Sequence, residues 1–119
     1  MRLSAHFISL VGIFLLGACF NSSGADAGPE LPPCQAYCQV AVECEPGFFE
    51  TRSECEADCQ AEIEVAREDV SESCAASQSD LFACIGGLTS CEDYDAYWVE
   101  PVVEYPCFEE DERLYDSCE

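Results

Sequence analysis

Two Cys-x3-Cys pairs, Cys34/Cys38 and Cys55/Cys59, stand sixteen residues apart, and the chemistry they offer is cross-linking. Residues four apart lie on one face of a helix, so each pair presents two sulfurs in the same direction. Two antiparallel helices joined by a turn would then be riveted twice, Cys34 to Cys59 and Cys38 to Cys55. No Cys-x-x-Cys occurs anywhere in the chain, so neither a thioredoxin-like redox motif nor zinc-knuckle spacing is present.

Other reactive groups are scarce. The single histidine, His6, lies in the apolar N-terminal stretch, and there is no lysine. Beyond that stretch, Ser-His-Asp and Cys-His arrangements, histidine metal sites and haem attachment have no residues to build them. The chain is therefore expected not to be an enzyme and to carry no cofactor, and no catalytic residue is assigned. Carboxylates are so abundant that a close pair is expected by chance and does not by itself mark an acid/base site. Asp93-Tyr94-Asp95 and the run Glu109 to Glu112 carry oxygen ligands that a calcium ion would need. Neither has the spaced acids, glycine and closing glutamate of an EF-hand loop, so both read as solvated acidic surface and no metal site is assigned.

The elements that position the cysteines begin with a leader. Arg2 supplies a positive start, and Phe7 to Leu16 is an apolar run too short to span a bilayer, which takes ~20 residues. It ends in Leu16-Gly17-Ala18-Cys19, which resembles the lipobox of bacterial lipoproteins. That resemblance implies removal of residues 1–18 as a signal peptide and a diacylglycerol on the Cys19 sulfur. With further acylation, two or three chains anchor a protein stably where one does not. Eleven cysteines are an odd number for an exported chain. Lipid on Cys19 leaves ten, enough for five disulfides and a density that suits an oxidising compartment.

Charge sets a second constraint. All 25 acids follow Cys19, where only Arg52, Arg67 and Arg113 oppose them. Such a surface repels nucleic acid and anionic head groups, and its natural complement is a basic protein partner. Self-repulsion works against compaction, and disulfides, each contributing ~2–4 kcal/mol, would offset it.

Residues 19–33 read as the lipidated cysteine and a Ser/Gly/Pro-containing tether, and 34–119 as one cysteine-rich domain. A first helix follows Pro32-Pro33 and runs to about Glu45, where Pro46-Gly47 stops it. Phe48 and Phe49 sit in the turn and are expected to cover the apolar end of the hairpin. A second helix opens at Thr51 or Ser53, each heading a capping box. Its inner face takes Cys55, Cys59, Ile63, Ala66, Val70 and Cys74. The rest is acidic: Glu54, Glu56, Asp58, Glu62, Glu64, Glu68 and Asp69. A third helix is expected from Ser79 to Leu88, capped by Ser77 or Ser79, with Leu81, Cys84, Ile85 and Leu88 as its stripe. A fourth, short one runs from Cys91 to Trp98 and brings Tyr94, Tyr97 and Trp98 together as core or lid. A last turn or two lies between Cys107 and Cys118.

Beyond the two hairpin rivets, six cysteines allow fifteen connectivities. On a continuous second helix Cys74 would lie ~22 Å past Cys59, which sets Cys44–Cys74 aside. The set expected here is Cys44–Cys91, Cys74–Cys84 and Cys107–Cys118.

The twin Cys-x3-Cys arrangement resembles that of plant α-hairpinins and of the small mitochondrial intermembrane-space chaperones, which implies a fold and not a function. With the lipobox and the further cysteines, the whole chain is similar to the cysteine-rich lipoproteins of myxobacteria, which implies a cell-envelope location. Phe20, rather than Asp, follows the lipid cysteine. By lipoprotein sorting habits this implies the outer membrane. The expectation is an all-α fold, a disulfide-stapled helical hairpin extended by two or three short helices. Its role would be structural or protein-interaction work on a membrane-anchored domain, with no nucleic-acid partner. The alternatives are an inhibitor or toxin-like hairpin that reaches a target through Phe48 and Phe49, and a thiol redox or metal carrier that needs reduced cysteines.

Overall fold

A computed structural model describes residues 30–99 and 105–119. The leader, most of the tether and Val102-Val103 lie outside the described residues. Those described form an all-α fold: α1 (Pro33–Cys44), α2 (Arg52–Asp69), α3 (Glu72–Gly86), α4 (Cys91–Trp98) and α5 (Phe108–Cys118).

The hairpin follows from its punctuation. Pro33 opens α1 at a position whose N–H needs no partner. Cys34, Tyr37, Cys38 and Ala41, at steps of three and four, form its buried face. Between α1 and α2 the chain turns through Gly47, whose φ of 99° lies in the left-handed region that favours glycine. Of the two candidate caps, Thr51 opens α2: its hydroxyl accepts the Glu54 N–H at 3.1 Å, while Glu54 Oε2 accepts the Glu50 N–H at 2.9 Å. Reciprocal capping of this kind satisfies donors that a helix start leaves open. The S–S distances across the hairpin are 2.01 Å for Cys34–Cys59 and 2.03 Å for Cys38–Cys55.

The second half departs from expectation. Helix α2 does not run on to Cys74; it ends at Asp69, and Val70 is exposed rather than on the inner face. The Ser71 hydroxyl accepts the Cys74 N–H at 3.0 Å and starts a new helix there. Helix α3 is thus fifteen residues long, seven residues ahead of the Ser79 start expected from the apolar stripe. Ser77 is no cap. It is buried inside α3, and its hydroxyl lies 2.9 Å from that of Ser117 on α5.

Helix α3 is the central element, packing on α1, α2 and α5. It contributes Leu81, Phe82 and Ile85 to the core, with the Phe82 ring 4.8 Å from that of Tyr37. Helix α4 packs on α1, where Cys44–Cys91 (2.03 Å) ties them together.

The lengths of α3 and α5 overturn two expected disulfides. Cys74 pairs with Cys118, and Cys84 with Cys107. Cys74–Cys84 is impossible because both belong to α3, where ten residues of helix separate them by ~15 Å. Cys107–Cys118 fails in the same way: the two bracket α5, ~16 Å apart at 1.5 Å per residue. Their Cα atoms would have to approach within ~7 Å to bond. The two disulfides instead lash α5 to α3 at both ends.

Candidate functional site

The α1–α2 turn presents its two phenylalanines differently. Phe49 is half-buried and packs on the core, whereas Phe48 is 72% exposed. The rings meet edge to face at 4.7 Å, so Phe49 props Phe48 outward. Several constraints hold the turn. The Phe48 N–H donates to the Glu45 carbonyl at 3.2 Å, Pro46 bridges to Phe49, and Thr51 caps α2 immediately after. Cys44–Cys91 lies just before the turn and Cys38–Cys55 across it. An exposed aromatic ring is therefore displayed on a braced loop.

Phe48 overhangs a groove of about 610 Å³ whose floor is a second stripe of α2. Ala61 and Val65 supply apolar surface there, and Asp58 and Glu62 supply carboxylates. Ala61 and Val65 point away from the disulfide face of Cys55 and Cys59, while Asp58 and Glu62, three residues after Cys55 and Cys59 respectively, border it. The Glu62 carboxyl is raised above the ordinary carboxylate range, first by burial and then by the neighbouring Asp58 charge. Among the described residues no arginine reaches either acid. Arg52 pairs with Glu56, Arg67 with Glu64 and Glu72, and Arg113 with Asp80.

The aromatic residues of α4 form a second cluster. Tyr94 is fully buried and donates its hydroxyl to Glu45 Oε2 at 3.2 Å. Tyr97 is half-buried, while Trp98 is half-exposed with its ring 4.9 Å from that of Tyr97. Tyr97 and Tyr105 both donate to the Asp111 carboxylate. Burial, then the Asp111 charge, pushes the Tyr97 phenol well above its ordinary value. The hydrogen bond to Asp111, then burial, pushes Tyr105 up to about 12. Asp111 thus joins α4 to α5 by accepting from two part-buried phenols, a role that its acidic neighbours Glu109, Glu110 and Glu112 do not share. Asp93 is likewise engaged: it exchanges hydrogen bonds with Ser90, which caps α4.

Cys84, Cys107 and Glu110 place three metal-ligating atoms within 4.8 Å of one another. The two sulfurs are bonded to each other, and a disulfide sulfur is not the thiolate that a metal takes. Cys19, the expected lipid site, lies outside the described residues, and the other ten cysteines form the five disulfides.

Phe48 and Phe49 stand in the turn as expected, but they divide the two roles expected of them together, Phe49 covering the core and Phe48 facing outward. In the sequence alone, Asp58 and Glu62 read as part of a uniform acidic face. The signal for the groove was the pair Ala61 and Val65, apolar residues off the disulfide face at helical spacing with both acids. Comparison with protein families, curated proteins and solved structures finds no match to this chain.

Proposed function

We propose that the chain is a lipid-anchored cell-envelope protein whose disulfide-stapled, acidic helical domain acts by binding another protein. The observation that carries this reading is the cysteine count: five disulfides use ten of the eleven, and the eleventh is Cys19 in the lipobox-like Leu-Gly-Ala-Cys sequence. The resemblance to cysteine-rich lipoproteins of myxobacteria supports a cell-envelope location, Phe20 rather than Asp after Cys19 supports the outer membrane, and the acid excess supports a basic partner. Catalysis has no part in this reading, since neither histidine nor lysine follows Cys19. The test is Cys19→Ser. The wild-type chain is expected in the membrane fraction with a metabolically incorporated acyl label, and the variant is expected to lose both. An unlabelled wild-type chain overturns the anchor.

A second reading is favoured by the exposure of Phe48 at the turn: a hairpin that inhibits or poisons a target by inserting that ring. It shares the binding surface and differs in consequence, so an effect on a partner's activity separates the two. A thiol redox or metal carrier needs reduced cysteines, and ten sulfurs bonded in pairs speak against it.

A further inference from the structure

We propose that the groove between Phe48 and α2 is a docking site for a basic amphipathic segment of a partner protein. Phe48 enters the partner's apolar face, and Asp58 and Glu62 pair with its cations. The proposal rests on the protein-binding reading above and gives it a surface and a class of partner.

Three observations converge. First, the ring has no structural duty that requires exposure. Phe49 already closes the end of the core, yet Phe48 remains 72% exposed on a loop braced by hydrogen bonds, a helix cap and flanking disulfides. A pre-ordered aromatic anchor loses little freedom on binding, and such anchors dominate interface energies. Second, the groove is amphipathic in the way a helix or extended segment with apolar and basic residues is. Ala61 and Val65, the latter 56% exposed, form its apolar floor between the two acids. Its volume of about 610 Å³ suits several inserted side chains rather than a whole domain.

Third, charge selects among occupants. Asp58 and Glu62 have no cationic partner among the described residues, whereas each arginine is spoken for elsewhere. A partner's cation beside Glu62 would favour its charged form, against the burial and the Asp58 charge that raise this carboxyl. A second copy of this chain would bring its own large acid excess, and an anionic lipid surface would be repelled in the same way. A basic protein segment meets neither obstacle.

The test uses the full lipoprotein in neutral detergent micelles and a short labelled peptide of leucine and lysine at helical spacing, followed by fluorescence anisotropy. Wild type is expected to bind it and not a leucine–glutamate peptide of the same pattern. Phe48→Ala, and separately Asp58→Asn with Glu62→Gln, are expected to weaken binding about tenfold. Phe48→Lys is expected to abolish it. The control pair Glu68→Gln with Asp69→Asn, equal in charge removed, is expected to change binding less than about twofold because exposed charges act weakly at a distance. The micelle contribution is common to every variant, and circular dichroism checks that each is folded. No binding by wild type, an undiminished Phe48→Ala or Phe48→Lys, or an equal loss in the control pair overturns the groove. Membrane fractionation of the same preparations scores anchoring separately, so a variant that stays anchored but binds as wild type rejects the groove alone.

Discussion

Gly86 on α3 lies against Ala36 on α1 so closely that a Cβ at position 86 would sit 2.5 Å from the Ala36 Cβ and carbonyl carbon. This contact falls where the cross-links do not reach. The disulfides join α1 to α2 and α4, and α3 to α5, but none joins the first set to the second. The two cross-linked sets share no disulfide and meet through packing, Gly86 against Ala36 and Phe82 against Tyr37, and through polar contacts, the Tyr97–Asp111 hydrogen bond and the Arg67–Glu72 ion pair. Gly86→Ala should therefore destabilise the oxidised protein by about 1–3 kcal/mol through overpacking, against its gain in helix propensity. Guanidinium denaturation measures the loss, and a peptide map of the same sample should show the five disulfides unchanged.

The core aromatic at that interface should be far costlier to truncate than the displayed one. Phe82→Ala is expected to lose about 3–5 kcal/mol, and Phe48→Ala less than about 0.5 kcal/mol. Equal losses would mean that Phe48 is a packing residue and would remove the basis of the docking site.

The α3–α5 lashing can be checked by linkage. A non-reducing peptide map should recover Cys74 joined to Cys118 and Cys84 joined to Cys107. Removing both Cys74 and Cys118, as Cys74→Ala with Cys118→Ala, should cost about 2–4 kcal/mol while leaving the hairpin disulfides intact. A map that joins Cys74 to Cys84 would contradict the length of α3.

All five tyrosines ionise above their ordinary value in the folded chain, Tyr94 and Tyr97 chiefly through burial and Tyr105 chiefly through its bond to Asp111. A pKa raised on folding contributes stability that is complete below the unfolded value of ~10 and is lost as pH rises through the folded value. Stability should thus hold up to mildly alkaline pH and fall above it. Tyrosinate absorbance should rise later in the native protein than in the reduced, unfolded chain. Asp111→Asn should bring Tyr105 back toward its ordinary value and leave Tyr94 unmoved, because Tyr94 bonds Glu45 instead.

The hairpin was legible because each of its features has a local cause: paired cysteines at helical spacing, a proline start, a Pro46-Gly47 stop and the Thr51 cap. The start of α3 was not. Between Ser71 and Leu81 the side chains are small or polar, with no large apolar residue at helical period, so the start of α3 rests on the Ser71 cap and on burial of Cys74, Ala75 and Ser77 against other elements. That misplacement carried into Cys74–Cys84, and the expectation of a last turn or two where α5 runs eleven residues carried into Cys107–Cys118. The acids and phenylalanines of the groove were visible individually. Which of two adjacent phenylalanines turns outward depends on the φ of Gly47 and the bridge from Pro46 to Phe49, and neither can be read from composition.

Every cysteine after Cys19 is expected to be oxidised, and Cys19 itself to carry lipid. The direct measurement is an intact mass of the protein purified from membranes, alkylated before and after reduction. The expected result is a lipid adduct within the peptide that begins at Cys19, no alkylation before reduction, and one alkyl group on each of the other ten cysteines afterwards. Reactive thiols before reduction, or an unmodified Cys19, would contradict it and bring thiol chemistry forward.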